Sequence, residues 1–259
     1  MVQSTLLCEN ISADQFGLLL NEYGDLVEAI SGTKPTKEGQ RTLSELDKFR
    51  YETAVELFSS EEPQRAMQHD DVRSLVEWKL RHGKFRPTLM KLVASNDEDT
   101  VAHTLAGAMS TYWKAPDASK ALDAIAKLKG IGPATASLLL SVHDPDRVIF
   151  FSDEAFYWLC NDAKPCPIKY NAKEYRDLNA SALKLVKRLE VSATNVEKVA
   201  YVLMRKKHND VVAPRQETPL LVSENGGSLS GGGGDKRKLQ NEGDEITPPQ
   251  PRRSKRGKT

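Results

Sequence analysis

A chain of 259 residues with 39% apolar side chains can close one large core or two small ones, and its net charge of +1 excludes a broadly basic surface. No run of eighteen apolar residues occurs, and the first residues, MVQSTLLCENISAD, carry neither a charged leader nor a sustained apolar stretch, so an intracellular protein without a membrane partner is expected. Cys8, Cys160 and Cys166 lack CxxC or paired Cys/His spacing, which argues against a disulfide framework, a zinc site or an iron–sulfur cluster; no metal and no cofactor are expected.

In chain order, Ser12 and Gln15 stand at capping-box spacing, and Phe16, Leu19, Leu20, Tyr23, Leu26, Val27 and Ile30 share one helical face, which predicts an amphipathic helix over residues 12–31. After the breakers from Gly32 to Pro35, residues 37–59 read as a longer, less regular helix that ends before Pro63. Val72, Leu75, Val76 and Leu80 predict a helix from Asp71 that stops at Gly83. Five of the residues from Lys79 to Lys91 are Lys or Arg, a cluster that suits a solvated face or a phosphate-contacting loop, and Trp78 and Phe85 within it read as core residues.

Further on, residues 88–95 predict a short helix and 98–113 a longer one with Val101, Leu105, Ala108, Met109 and Tyr112 in register. Residues 172–190 and a last helix capped by Thr194 and Glu197 complete the pattern. The lone β-like run, Val148 to Phe151, is too short to build a sheet, so the fold class is all-α. His69, His82, His103, His143 and His208 are assigned structural roles, because none has an evident ligand or catalytic partner.

Periodicity predicts an all-helical globular region over residues 1–211 and a disordered basic tail over 212–259, which carries four consecutive glycines from Gly231 and the segment ITPPQP. The tail holds nine Lys/Arg against six Asp/Glu from residue 211 onward, leaving 28 against 30 before it, so any nucleic-acid contact of the body must be local. Lys236, Arg237 and Lys238, followed by Arg252, Arg253, Lys255 and Arg256, read as a two-part nuclear import signal recognised by an import receptor, or as a nucleic-acid-binding arm. A merely solubilising tail is the bland alternative.

The most informative stretch is residues 127–158. A helix with Ala118, Ala121, Leu122, Ile125 and Leu128 on one face runs into Lys129, and Gly130-Ile131-Gly132-Pro133 turns the chain. Gly130 suits a positive φ at the helix end, Ile131 can plug inward, Gly132 admits close approach of a ligand, and Pro133 suits the first position of the next helix. That helix, Ala134 to Val142, is apolar on almost every side and therefore central. Unpaired amides at its start would suit one phosphate, with Gly130, Ile131, Gly132, Ala134 and Thr135 as the phosphate-binding residues. Such a contact positions DNA without reading its sequence. Lys129, Lys84 and Arg86 are the candidate further DNA contacts.

Leu128 to Ala136, LKGIGPATA, resembles a helix-hairpin-helix motif. With Asp153 twenty-one residues after Gly132, the stretch over about 117–160 resembles the core of the helix-hairpin-helix DNA glycosylases. In that superfamily the aspartate follows a Gly/Pro-rich loop, here Asp144-Pro145-Asp146, and faces a flipped nucleotide. The resemblance implies a monofunctional DNA N-glycosylase with Asp153 as the catalytic carboxylate. Members with strand-cleaving activity carry a lysine two residues after the second hairpin glycine, where this chain has Ala134, so no lyase step is expected. The four-cysteine iron–sulfur loop of another branch is also missing. Phe150, Phe151, Tyr157, Trp158, Trp113 and Trp78 could line a base pocket, although each also suits a core. Asp153 has a plain alternative as a helix N-cap, a role that Ser152 could fill instead. The competing functional readings are a non-catalytic nuclear DNA-binding or scaffold protein and a helical protein-interaction module.

Overall fold

The computed structural model describes residues 6–212. Twelve α-helices run through them: α1 Ala13–Asn21, α2 Tyr23–Thr33, α3 Leu43–Lys48, α4 Ala54–Phe58, α5 His69–His82, α6 Leu89–Ala94, α7 Glu98–Lys114, α8 Ala118–Ile125, α9 Pro133–His143, α10 Asp153–Cys160, α11 Ala172–Leu189 and α12 Ala193–Val212. Among these residues there is no β-strand, and Val148 to Phe151 is a buried irregular segment. None of the helices is long and apolar enough to cross a membrane. The tail assigned to residues 212–259, including the two basic clusters, lies outside the described residues apart from Val212, and the side chain of His208 is likewise outside them.

The element predictions need four corrections, one being that the helix expected to run into Lys129 stops at Ile125, with turns over residues 126–130 before α9. The helix expected over 12–31 is two helices, because the chain turns at Glu22, whose amide reaches back to the carbonyls of Leu19 and Leu20. The capping box at Ser12 and Gln15 is present, and Phe16, Leu19, Tyr23 and Val27 are buried across both pieces, so one apolar face spans the break. The helix expected from residue 37 begins at Leu43, where Thr42 and Glu45 close a capping box of their own. It runs into a π-helical turn, Phe49–Thr53, before α4. A widened turn of this kind shifts the side chains that follow it relative to the helix axis, and it carries the fully buried Arg50. Finally, Thr194 does not cap α12 with Glu197. Ser192 accepts from the Asn195 amide at 3.1 Å, the Thr194 hydroxyl donates to the Pro145 carbonyl at 3.0 Å, and Glu197 points into the core.

The core is arranged around α9. Every residue of that helix from Thr135 to His143 is buried, and α4, α5, α8 and α11 pack against it. Its serines are put to structural use. Ser137 Oγ accepts from the Phe151 amide at 2.9 Å, and Ser141 Oγ accepts from Arg50 at 2.9 Å. The Arg50 guanidinium also meets Glu197 at 3.1 Å and lies over the Tyr51 and Trp78 rings at 4.5 and 5.1 Å. Tyr51 donates to the other Glu197 oxygen at 2.6 Å. Burial raises the Glu197 carboxyl and the Arg50 charge opposes that rise.

The loop from α9 to α10 is fixed by polar contacts. Asp144 is buried and accepts from the Tyr112 hydroxyl at 2.6 Å and from Arg147 Nε at 2.7 Å. The carbonyls of Pro145 and Asp146 accept the amides of Thr194 and Ala193 at 3.0 Å each. Each histidine whose side chain is described has a partner within the fold. His69 pairs with the Val93 carbonyl, His103 with that of Asp99 and His143 with that of Phe58, while His82 is stacked between Trp78 and Tyr201 at 4.5 and 3.8 Å. The Tyr23 hydroxyl donates to Asp47 at 2.8 Å, so at 3.3 Å the His82 Nε2–H is the donor to Tyr23. Burial and three nearby cations hold this imidazole far below its usual range.

His143 makes acid stability testable. Burial lowers its pKa from 6.5 to about 4, against the opposing hydrogen bond to the Phe58 carbonyl. The native state keeps the ring uncharged while the unfolded chain takes up a proton below 6.5, so the contribution is complete above that value and is lost as the pH falls towards about 4. Across that window the linkage amounts to roughly 3 kcal/mol. His143→Asn keeps a donor for Phe58 without the titration. Its urea midpoint is expected to fall less than the parent's between about pH 7 and about pH 5; an equal fall would remove His143 from the account.

Candidate functional site

The hairpin forms as its glycines predict. Gly130 has φ +77°, and a Cβ there would sit 2.9 Å from Leu92 Cβ and 3.2 Å from the Val93 amide nitrogen. Both the left-handed backbone and the close passage of α6 therefore require glycine at this position. Ile131 is buried, and Pro133 opens α9. Gly132 is the N-cap, and a Cβ on it would meet nothing within 4 Å. The hairpin backbone is clasped from outside by Asn96, whose Oδ1 accepts the Lys129 amide at 2.8 Å and whose Nδ2 donates to the Lys129 carbonyl at 2.9 Å. Among the described residues the amides of Gly132 and Ala134 have no partner, so they remain available to an anion at the start of α9.

Asp153 is the first residue of α10, and the cap is Ser152, whose Oγ accepts from the Ala155 amide at 3.1 Å. The carboxylate is thus not used for capping. It faces a cleft of about 710 Å³ whose wall includes Gly130, Gly132, Ala134 and Thr135 of the hairpin, together with Lys79, Lys84 and Arg86. One fold therefore brings the hairpin, the aspartate and three of the five cations between residues 79 and 91 to the same opening. Lys129 is exposed but is not part of the cleft wall. Lys84 Nζ lies 2.7 Å from Asp153 Oδ2, and its side chain is 73% exposed, so this pair is weakly held. Tyr170 donates a hydrogen bond to Asp153 Oδ1. Burial and the Asp153 carboxylate push the Tyr170 phenol well above its usual range, so it remains a donor. Arg86 lies over the same ring at 5.9 Å.

Deeper in the cleft Lys79 donates to Thr135 Oγ1 at 2.7 Å. Burial first, and then the Arg86 charge, lower this amine to about 8, with Asp153 acting in the other direction. Glu154 meets Arg205 at 3.2 Å, and burial raises its carboxyl against that cation. Arg205 in turn donates to the His82 carbonyl at 3.3 Å.

The aromatic candidates divide. Phe150, Phe151 and Tyr157 contribute to the cleft wall. Trp78 and Trp158 are fully buried, with Trp158 Nε1 donating to the Leu6 carbonyl at 3.0 Å, and Trp113 lies against Tyr112 away from the cleft. The expectation that Phe85 is a core residue is overturned. It is 74% exposed, because the segment after Gly83 leaves the helix and runs along the surface. Sequence reasoning passed over Tyr170. Its backbone is left-handed at φ 55°, unusual for a residue with a Cβ, and it precedes Asn171, the cap of α11. The capping box of Asn171 and Glu174 was a readable signal for that boundary, but nothing in the sequence tied the tyrosine before it to Asp153.

Comparison with protein-family models, with characterised proteins and with solved structures returned no match.

The two hairpin glycines are expected to respond differently to alanine. Gly130→Ala should destabilise the fold by about 1–3 kcal/mol or more through left-handed strain and contact with α6. Gly132→Ala, with open space around it but at the N-cap, where alanine is less favourable than glycine, should cost less, about 0.5–1 kcal/mol. Urea unfolding of both variants distinguishes them, and equal losses would contradict the geometry.

Proposed function

We propose that this chain is a DNA-binding protein of the helix-hairpin-helix glycosylase type and acts as a monofunctional DNA N-glycosylase. The observation that carries this reading is the cleft shared by Asp153, the open amides at the start of α9 and the cations Lys79, Lys84 and Arg86. A strand of DNA would rest one phosphate on the α9 amides, with Lys84 and Arg86 reaching its neighbours. A base turned out of the duplex would enter the cleft beside Phe150 and Tyr157. The cleft has the volume for a nucleoside-sized group.

Asp153 would stabilise the positive charge that develops on the sugar as the N-glycosidic bond breaks, and would orient or deprotonate the attacking water. Tyr170 fixes the orientation of the carboxylate through Oδ1. The second oxygen is covered by Lys84, whose exposed pair is worth at most about 1 kcal/mol. Nearby phosphates would draw Lys84 away and uncover Oδ2. The same ion pair is the observation that favours the second reading, a DNA-binding or scaffold protein in which Asp153 is only a tether for the loop carrying Lys84.

Duplexes carrying a panel of damaged or mismatched bases test the proposal. Wild-type chain is expected to release free base from at least one, and Asp153→Asn should abolish release while leaving DNA affinity within a few fold. Binding without release across the whole panel would favour the non-catalytic reading.

The nuclear assignment rests on Lys236 to Lys238 and Arg252 to Arg256 as a two-part import signal. Replacing the basic residues of both clusters with alanine in a fluorescent fusion should shift the full chain out of the nucleus. Unchanged nuclear accumulation would remove that role from the tail.

A further inference from the structure

The charges on the cleft wall fall into two sets. Lys84 meets Asp153 at 2.7 Å and Arg205 meets Glu154 at 3.2 Å, so these groups balance one another in pairs. Lys79 and Arg86 are on the same wall, and among the described residues neither has a carboxylate partner. Lys79 comes from the last turn of α5 and is half-buried, and its amine donates to the neutral Thr135 hydroxyl at 2.7 Å. Arg86 is exposed and lies over the Tyr170 ring at 5.9 Å. A partly desolvated cation with only a hydroxyl for a partner is costly to keep charged, and a second cation nearby adds to that cost. An anion entering the cleft relieves both.

We infer that Lys79 is a direct ligand of a phosphate group in this cleft and binds it as the ammonium ion, so that phosphate binding at mildly alkaline pH draws a proton into the site. The inference rests on the DNA-binding part of the proposed function for the source of the phosphate, the DNA backbone, and does not require base release. Thr135 is in the first turn of α9, next to Ala134, so its hydroxyl holds the amine beside the open amides. After the bond to Thr135 an ammonium keeps N–H donors free for phosphate oxygens, and its charge strengthens those bonds. A neutral amine gives up the charge and turns a lone pair towards the same oxygens.

Burial first, and then Arg86, lower the free amine to about 8, with Asp153 opposing them. A bound phosphate puts negative charge beside the amine and raises it again. Below about 8 the lysine is already charged and affinity is level; above it binding takes up a proton, and affinity falls as the pH rises. The groups that share the cleft with Lys79 are Lys84 and Arg86 from the segment after α5, Asp153, Glu154 and Tyr157 from α10, Tyr170 before α11 and Arg205 from α12. The titratable residue of α9, His143, lies at its far end against the Phe58 carbonyl. Asp153 raises the Lys84 amine, and burial raises the Tyr157 and Tyr170 phenols, so the loss of positive charge near 8 belongs to Lys79.

Binding of an undamaged duplex and of inorganic phosphate to the full-length chain, at one fixed salt concentration, tests the inference. Duplex affinity is expected to fall about tenfold between about pH 7 and about pH 9. Calorimetry near pH 8 in two buffers of different ionisation heat should show uptake of roughly half a proton with either probe. Lys79→Arg, charged throughout and still able to donate to Thr135, should level the profile and abolish the uptake. Lys79→Gln, which keeps a donor without the charge, should bind the duplex at about pH 7 at least as weakly as the parent does at about pH 9. A profile as steep in Lys79→Arg as in the parent, or binding without proton uptake, overturns the inference and leaves DNA binding intact. Phosphate binding with proton uptake by a chain that does not bind the duplex leaves the inference standing and refutes DNA binding. Binding of neither probe overturns both.

Discussion

A single buried cation fixes how the helices of this fold meet. Arg50 is fully buried, and its guanidinium ties the π-helical turn after α3 to Ser141 of α9 and Glu197 of α12, partners 91 and 147 residues away in sequence. Such a pair need not stabilise the fold relative to apolar residues of the same volume, but loss of one partner strands a buried charge at a cost of about 3–5 kcal/mol. The pair, with Tyr51 on the remaining Glu197 oxygen, joins the π-helical turn, α9 and α12 at one point in the core. That arrangement sets the position of α9, and the start of α9 is one wall of the cleft.

The remaining parts of the cleft are fixed by local devices hung on the same frame. Asp144, Pro145 and Asp146 tie the loop after α9 to α7 and α12, which leaves Ser152 and Asp153 little freedom at the start of α10. With Ser152 as the cap, the aspartate is free to face the opening. Pairing of Asp153 with Lys84 and Tyr170 gives one carboxylate oxygen an exposed partner and the other a half-buried one. Lys79 shows how much position matters for chemistry. Two lysines five residues apart are shifted in opposite directions, because burial and the Arg86 charge lower the Lys79 amine while the Asp153 carboxylate raises that of Lys84.

Much of this was legible in the chain. The all-round apolar character of α9 announced a central helix, the Gly130 and Pro133 pattern announced the turn, and Ser152-Asp153 announced a helix start, with the choice of cap between the two residues settled by the structure in favour of Ser152. These are local signals, in which one residue's conformational or hydrogen-bonding preference decides the outcome. The misses have a common cause in tertiary context. Glu22 breaks a helix whose apolar face continues unbroken, so periodicity could not reveal the turn. Glu197 stood at capping-box spacing but was needed by Arg50. Phe85 was read as core from its type, whereas its segment follows the surface. Tyr170 reaches Asp153 across seventeen residues through a left-handed backbone, a relation that no spacing rule encodes.

The Asn96 clasp has a consequence for which positions can change. Its amide reads the backbone of Lys129 twice, accepting from the nitrogen and donating to the carbonyl, and makes no use of that side chain. Position 129 is therefore open to almost any residue as far as the hairpin is concerned. Position 96 is restricted to a side chain that can donate and accept at that short reach, a requirement that neither an aspartate nor a leucine meets. Drift in the exposed lysine is cheap, and the surface asparagine 33 residues earlier in the chain holds the geometry of the turn.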